Sequence, residues 1–128
     1  MIKKYIQAGI ISLVFPFAAQ AQLKDSIYTY IKSCGIKHPE VVMQQVLLET
    51  GHLGADYLMD RNNIFAFRRT EEYMHFADWK DCVEFYKRWQ DKYYKNLEEN
   101  YYSFLRRVKY SGSNNYIDVL KRVSIKKG

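Results

Sequence analysis

Glu49 closes an otherwise apolar helical run, Gln44-Gln-Val-Leu-Leu-Glu-Thr-Gly51. A carboxyl group there has two reasons to hold its proton. Apolar neighbours disfavour the anion, and a helix C-terminus presents partial negative charge. Breaking a glycosidic bond calls for such an acid, because the leaving oxygen must be protonated as it departs. By pattern alone, a glutamate in a last helical turn is more often a solvated residue. The other chemistry-bearing residues form no constellation. His38, His52 and His75 lack H-E-x-x-H spacing, so neither a metal nor a cofactor is expected. No basic neighbour is evident to activate Cys34 or Cys82 as a nucleophile. Both G-x-x-x-x-G-K-[ST] and G-x-G-x-x-G are absent.

The leader and the charge come next. The chain has 128 residues, enough for one domain, with 48% apolar residues, twelve tyrosines and a net charge of +6. Residues 1–21 have the form of a signal peptide: Lys3 and Lys4, an apolar stretch from Ile10 to Phe17, then Ala19-Gln20-Ala21. Interrupted by Gln7 and Pro16, that stretch is short against the ~20 residues of a membrane span. Cleavage before Gln22 is expected to leave a domain over 22–128, exported to the periplasm or the medium, with no stable membrane insertion. Loss of Lys3 and Lys4 reduces the charge to +4. That suits an anionic polymer such as cell-wall material and is too small to argue for nucleic acid. Tyr93, Tyr94, Tyr101 and Tyr102, interleaved with basic residues, accordingly read as core and rim rather than a stacking surface for bases. After export, Cys34 and Cys82 would meet an oxidising compartment. One disulfide and two buried free thiols both remain open.

The apolar spacing predicts a mainly α domain. Leu23, Ile27, Tyr30 and Ile31 form one helical stripe over Leu23–Cys34, stopped by Gly35. Pro39 suits the first position of a second helix running to Glu49, apolar over most of its circumference and therefore central. Residues 51–63 read as loop. Ile64–Phe67 and Tyr73–Phe76 read as a small hairpin turning through Arg68–Glu72. Asp78 caps a helix with the stripe Cys82, Phe85, Trp89 and Tyr93. Two further helices are expected at Glu98–Lys109 and Asn115–Val123.

Four segments, in order, resemble the bacterial glucosaminidase family of peptidoglycan hydrolases (the mannosyl-glycoprotein endo-β-N-acetylglucosaminidase-like domain). Gln44 to Gly51 is similar to its "A-Q-x-x-L-E-[ST]-G-W-G" helix end. Asn62-Asn-Ile-Phe-Ala-Phe67 is similar to "N-N-L-F-G-[IM]-[KR]". Phe76 to Tyr86 resembles "Y-x-S-W-x-x-S-x-x-D-Y", and Lys109 to Leu120 resembles "Y-A-[ST]-D-x-x-Y-x-x-x-L". Together they cover residues 38–123, nearly the whole mature chain.

The resemblance implies a lysozyme-like helical domain with a small β lobe. It also implies a monomeric hydrolase acting on the β-1,4 bonds of peptidoglycan glycan strands. Glu49 then matches the catalytic acid. Asn62, Asn63 and Phe65 match the segment turning beneath the cleft and are assigned with Tyr110 to substrate binding; Tyr116 is assigned to packing. Thr70-Glu-Glu-Tyr73 resembles a "T-x-E-Y" stretch that carries a second carboxylate, giving Glu72 as candidate and Glu71 behind it; both also read as solvated turn residues. Should Glu72 reach the cleft, it would place water for inversion across ~6.5–9.5 Å. Otherwise the 2-acetamido group of the substrate would attack. Three residues depart from the family pattern: His52 for Trp, Ala66 for Gly and Cys82 for Ser. His52, Ala66 and the short β lobe leave a wall-binding module without turnover as an alternative; a lytic transglycosylase, in which an internal sugar hydroxyl replaces water, is another.

Overall fold

The computed structural model describes residues 17–126. Along them lie α1 (Phe17–Ser33), α2 (Pro39–Glu49), α3 (Asp56–Met59), β1 (Arg68–Arg69), β2 (Glu72–Tyr73), α4 (Trp79–Tyr93), α5 (Tyr101–Arg107) and α6 (Tyr116–Lys121). The domain is mainly α with one small antiparallel hairpin. Most of the expected leader falls outside the described residues, while 17–21 belong to the start of α1. No described helix is long and apolar enough to cross a membrane.

The burial of α2 organises the fold. Val42, Met43, Gln45, Val46 and Leu47 are all buried, so this helix is covered on several sides. Against α2 pack α1 and α6. From α1 come Ile27 and Ile31, from α4 Cys82, Val83 and Tyr86, from α5 Phe104 and Leu105, and from α6 Ile117 and Leu120. Each such side chain contributes roughly 1.5–3 kcal/mol of apolar burial. Asp78 caps α4 by accepting from the Lys80 amide at 2.7 Å. The last two helices are shorter than their apolar patterns suggest. Asn100 sets the start of α5 by accepting from the Ser103 amide, and Asn115 flanks the start of α6.

Four helices end in the same way. Gly35, Gly51, Asn62 and Lys109 each adopt a left-handed backbone, with φ between 53° and 74°. The amide that follows each one turns back five residues: Ile36 to Ile31, His52 to Leu47, Asn63 to Leu58 and Tyr110 to Leu105. This cap satisfies carbonyls the helix leaves open and favours glycine or asparagine. It accounts for Asn62, the left-handed cap of a one-turn helix that the sequence reading left inside a loop.

All but Tyr73 of the paired residues lie in the segment expected to be the turn, Arg68–Glu72. Arg68 pairs with Tyr73 and Arg69 with Glu72, so the turn is Thr70–Glu71, with Thr70 at φ 54°. Ile64 and Phe65 are buried core residues, and Ile64–Phe67 forms a turn rather than a strand. The cause is Asn63. Its Oδ1 accepts from the Phe67 amide and its Nδ2 donates to the Phe67 and Met74 carbonyls, all at 2.9 Å. A fully buried side chain thus ties both sides of the β lobe to the helical body. Cys34 and Cys82 are free thiols. Cys82 is buried, donates weakly to Asn63 Oδ1, and is pushed up to about 12 by burial, which makes it inert.

Replacing Asn63 with Ala would leave the part-buried Phe67 amide and Met74 carbonyl without their partner, while the Phe67 carbonyl keeps the Met74 amide. We expect a loss of ~2–4 kcal/mol, read as a lower urea midpoint with little change in slope.

Candidate active site

Glu49 is the last residue of α2 and is half-buried. Its continuation is fixed by Thr50, a fully buried residue whose hydroxyl donates to Val46 O at 2.7 Å and accepts from the Leu53 amide at 2.8 Å. The Thr50 carbonyl accepts in turn from the Gly54 and Ala55 amides. Between these anchors Gly51, His52 and Leu53 run left-handed, at φ 56°, 59° and 69°. For His52 and Leu53 that conformation is strained by about 1 kcal/mol or more each. Thr50 therefore holds a compressed turn immediately after the acid.

Burial raises the pKa of Glu49 above the ordinary carboxylate value, and the Tyr116 hydroxyl beside it works in the opposite sense. The charge of Glu49 is felt at three phenols, Tyr57, Tyr110 and Tyr116, whose own ionisation is pushed up chiefly by burial. These belong to different parts of the fold. Tyr57 is on α3, half exposed, with its ring 5.4 Å from that of Tyr73 on β2; the Arg68 guanidinium lies 4.6 Å over Tyr73. Tyr110 follows the left-handed cap of α5 and stacks on Tyr116 at 6.0 Å and 19°. Its hydroxyl donates to Phe65 O at 3.2 Å. Two cavities adjoin this pair. One of about 390 Å³ is lined by Tyr110, Phe67, Phe85 and Trp89, with Arg68 and Lys109 also on its wall. The other, about 310 Å³, runs from Tyr116 past Arg106 and Lys109 to Ser111–Asn114.

The charge of Glu49 is thus felt at Tyr110, and the structure corrects two of the substrate-binding assignments, Asn63 and Phe65. Asn63 and Phe65 are fully buried. Asn63 spends its side chain on the β lobe, and Phe65 packs on Tyr86 at 4.4 Å. Asn62 caps α3 and donates to the Phe76 and Ala77 carbonyls. Asn63 and Phe65 thus offer no free polar side-chain atom to a ligand, whereas the Asn62 amide oxygen accepts from no described residue. Glu72 is corrected as well. Neighbouring strand residues point to opposite faces. Tyr73 takes the face toward Tyr57, so Glu72 projects exposed from the other and has no part in the field at Glu49. Glu71 is an exposed turn residue whose carbonyl accepts from Arg68.

Three residues of the site escaped the sequence reading. The ring of Tyr116 packs in the core as expected, yet it and Glu49 act on one another's ionisation. Tyr57 and Tyr73 were legible only as aromatics in a loop and a strand; the "T-x-E-Y" pattern drew attention to its glutamate and not its tyrosine. Among the described residues no three His, Cys, Asp or Glu side chains come together to hold a metal ion. What the arrangement offers chemically is one proton donor among phenols and aromatic walls. No protein-family model, curated protein or solved structure matches the chain.

A carboxyl whose folded pKa is raised favours folding fully below its unfolded pKa, and that contribution is lost as pH rises through the folded value. Glu49→Gln, always neutral, should therefore melt higher than wild type at neutral pH. The gap should close as pH falls below the ordinary carboxylate value of 4.5. Thermal melts of both proteins from acid to neutral pH measure it; a gap independent of pH contradicts the burial of this acid.

Proposed function

We propose that the mature chain is an exported glycoside hydrolase of endo-β-N-acetylglucosaminidase type, acting on peptidoglycan glycan strands with Glu49 as general acid. What supports this reading is a half-buried glutamate at a helix end, its pKa raised by burial, whose charge is felt by tyrosines from three parts of the chain. The ordered resemblance of residues 38–123 to peptidoglycan hydrolases and the signal-like start supply the substrate class. A net charge of +4 after leader removal complements an anionic wall.

In this mechanism the Glu49 proton passes to the glycosidic oxygen as the bond to the anomeric carbon breaks. The bonding pair leaves with that oxygen, and positive charge spreads over the anomeric carbon and ring oxygen. With Glu72 on the far face of the hairpin, no second carboxylate faces the acid from that lobe. We therefore assign the nucleophile to the substrate itself, whose 2-acetamido oxygen bonds to the anomeric carbon. Water then opens that ring, and Glu49, now a carboxylate, takes its proton back. Tyr57 and Tyr73 offer the ring faces on which a sugar stacks.

Purified mature protein should release reducing ends from cell walls, and Glu49→Gln should lower that rate ~10²–10⁴-fold. Equal release by the two proteins refutes the assignment. N-deacetylated walls should resist cleavage, whereas Glu72→Gln should stay within ~3-fold of wild type. Anhydro-sugar ends in the mass spectrum would instead identify a lytic transglycosylase, and binding without turnover a wall-binding module.

A further inference from the structure

The cavity of about 310 Å³ beside Tyr116 joins an apolar floor to a cationic rim. Leu105, Tyr116 and Ile117, all buried, make the floor. Arg106 and Lys109 line it too, together with the loop Ser111–Asn114. Both cations are exposed, so their stems pack along the wall while their charged ends stay at the mouth, in water. No acidic residue lines the cavity. Among the described residues neither cation has a carboxylate within ion-pair distance, whereas Arg107, between them in the chain, is paired with Glu99 at 2.8 Å.

The loop is held by its own hydrogen bonds and still has donors free. Ser111 Oγ accepts from the Ser113 amide at 3.1 Å, and Ser113 Oγ donates to Asn115 Oδ1. That leaves the Ser111 proton and the Asn114 side-chain amide without a partner among the described residues. Gly112 has open space beside it, where a methyl group would meet no atom within 4 Å. Lys109 is the residue least suited to its backbone. It takes the left-handed cap of α5 at φ 56°, a place filled elsewhere in this fold by Gly35, Gly51 and Asn62. Glycine and asparagine accept that conformation and lysine is strained in it, so the position is better explained by what the side chain does. Lys109 also lines the cavity of about 390 Å³ at Tyr110, so one residue borders both spaces that adjoin the stacked Tyr110–Tyr116 pair.

Resting on the hydrolase reading above, we propose that this cavity is a carboxylate subsite, in which Arg106 and Lys109 hold an acidic substituent carried by the glycan strand. Unpaired charges of one sign around a concave, partly apolar wall concentrate anions there. Arginine presents parallel N–H groups that match the two oxygens of a carboxylate, and lysine adds a point charge. The free donors of Ser111 and Asn114 supply the remaining hydrogen bonds. A volume of about 310 Å³ is at the low end for ligand sites and fits a short side arm rather than a run of sugar rings. Every second sugar of a wall strand carries such an arm, a lactyl ether. Its methyl group suits the floor made by Leu105 and Ile117. Its carboxyl is free on a bare strand; on a substituted one it is extended by a peptide with carboxylates of its own. Strands built of N-acetylglucosamine alone have no such group, so the subsite would set a preference for wall glycan over neutral glycan.

The test is an NMR titration of the backbone amides of the mature protein with three probes: N-acetylmuramic acid, N-acetylmuramoyl dipeptide and the neutral disaccharide of N-acetylglucosamine. Neither acid contains a bond between two sugars, so turnover plays no part, and the result stands or fails separately from the loss of sugar release by Glu49→Gln. At least one acid should shift the amides of residues 111–114, and the neutral disaccharide should leave them in place. Binding of the sugar acid assigns the carboxylate to the lactyl arm, and binding of the dipeptide conjugate alone assigns it to the peptide; either supports the subsite. Arg106→Gln should weaken that binding ~3–10-fold. Lys109→Gly should weaken it by a similar factor while melting no lower than wild type, because glycine suits φ 56°. Asn114→Asp, which adds a carboxylate at the rim, should weaken it as well. Equal shifts with the neutral disaccharide overturn the proposal, as does the absence of shifts with both acids. Unchanged affinity in folded Arg106→Gln and Lys109→Gly is equally decisive against it.

Discussion

Partial burial of the Glu49 carboxyl at the end of α2 is the constraint on which the rest of the site depends. Desolvation makes the charged form costly, and the end of a helix is a poor place to offset it, because the open carbonyls carry negative partial charge. The fold meets that cost with phenols rather than with a cation: of the groups acting on Glu49, the one that favours its charged form is the Tyr116 hydroxyl. An arginine or lysine at that distance would pull the proton off and leave an acid with nothing to donate. Phenols keep their own protons well above neutral pH and so supply a dipole without a charge.

Helix ends place those phenols. Left-handed caps after α2, α3 and α5 reverse the chain within one residue, and the last of them sets where Tyr110 begins. The two asparagines in the middle do separate work: Asn62 tolerates the left-handed backbone, and Asn63 binds the β lobe to the helices. A lobe whose paired strands are two residues each has almost no stability of its own. Its rigidity comes from that one buried amide and from Phe67, whose ring contacts Phe76 and Phe85. Tyr73 is thereby held beside Tyr57, so the pairing of these two rings depends on the fully buried Asn63.

Sequence and structure agree most closely at α2, where Pro39 and the Thr50-Gly51 pair mark both ends and near-continuous apolar residues announce a central helix. The Asp78 cap was equally plain, because one residue's chemistry decides it. The hairpin was misplaced because Ile64, Phe65 and Phe67 are as apolar as a strand. Nothing in their pattern reveals that Asn63 captures the Phe67 amide and folds them into a turn. Glu72 was misjudged for a related reason. A two-residue strand has a definite face only once its pairing register is known.

What the amino-acid order determined alone was local: helix periods, caps, the acid at the end of α2, and an aromatic content large enough for a core. Tertiary structure decided which polar atoms meet. Gln45 and Tyr86 are 41 residues apart, Gln45 and Tyr116 are 71 apart, and each taken singly is an ordinary buried polar residue. The hydrogen bonds that join them exist only when α2, α4 and α6 are packed. A hydrogen bond depends on distance and angle in space, and neither is encoded in the spacing of residues along the chain.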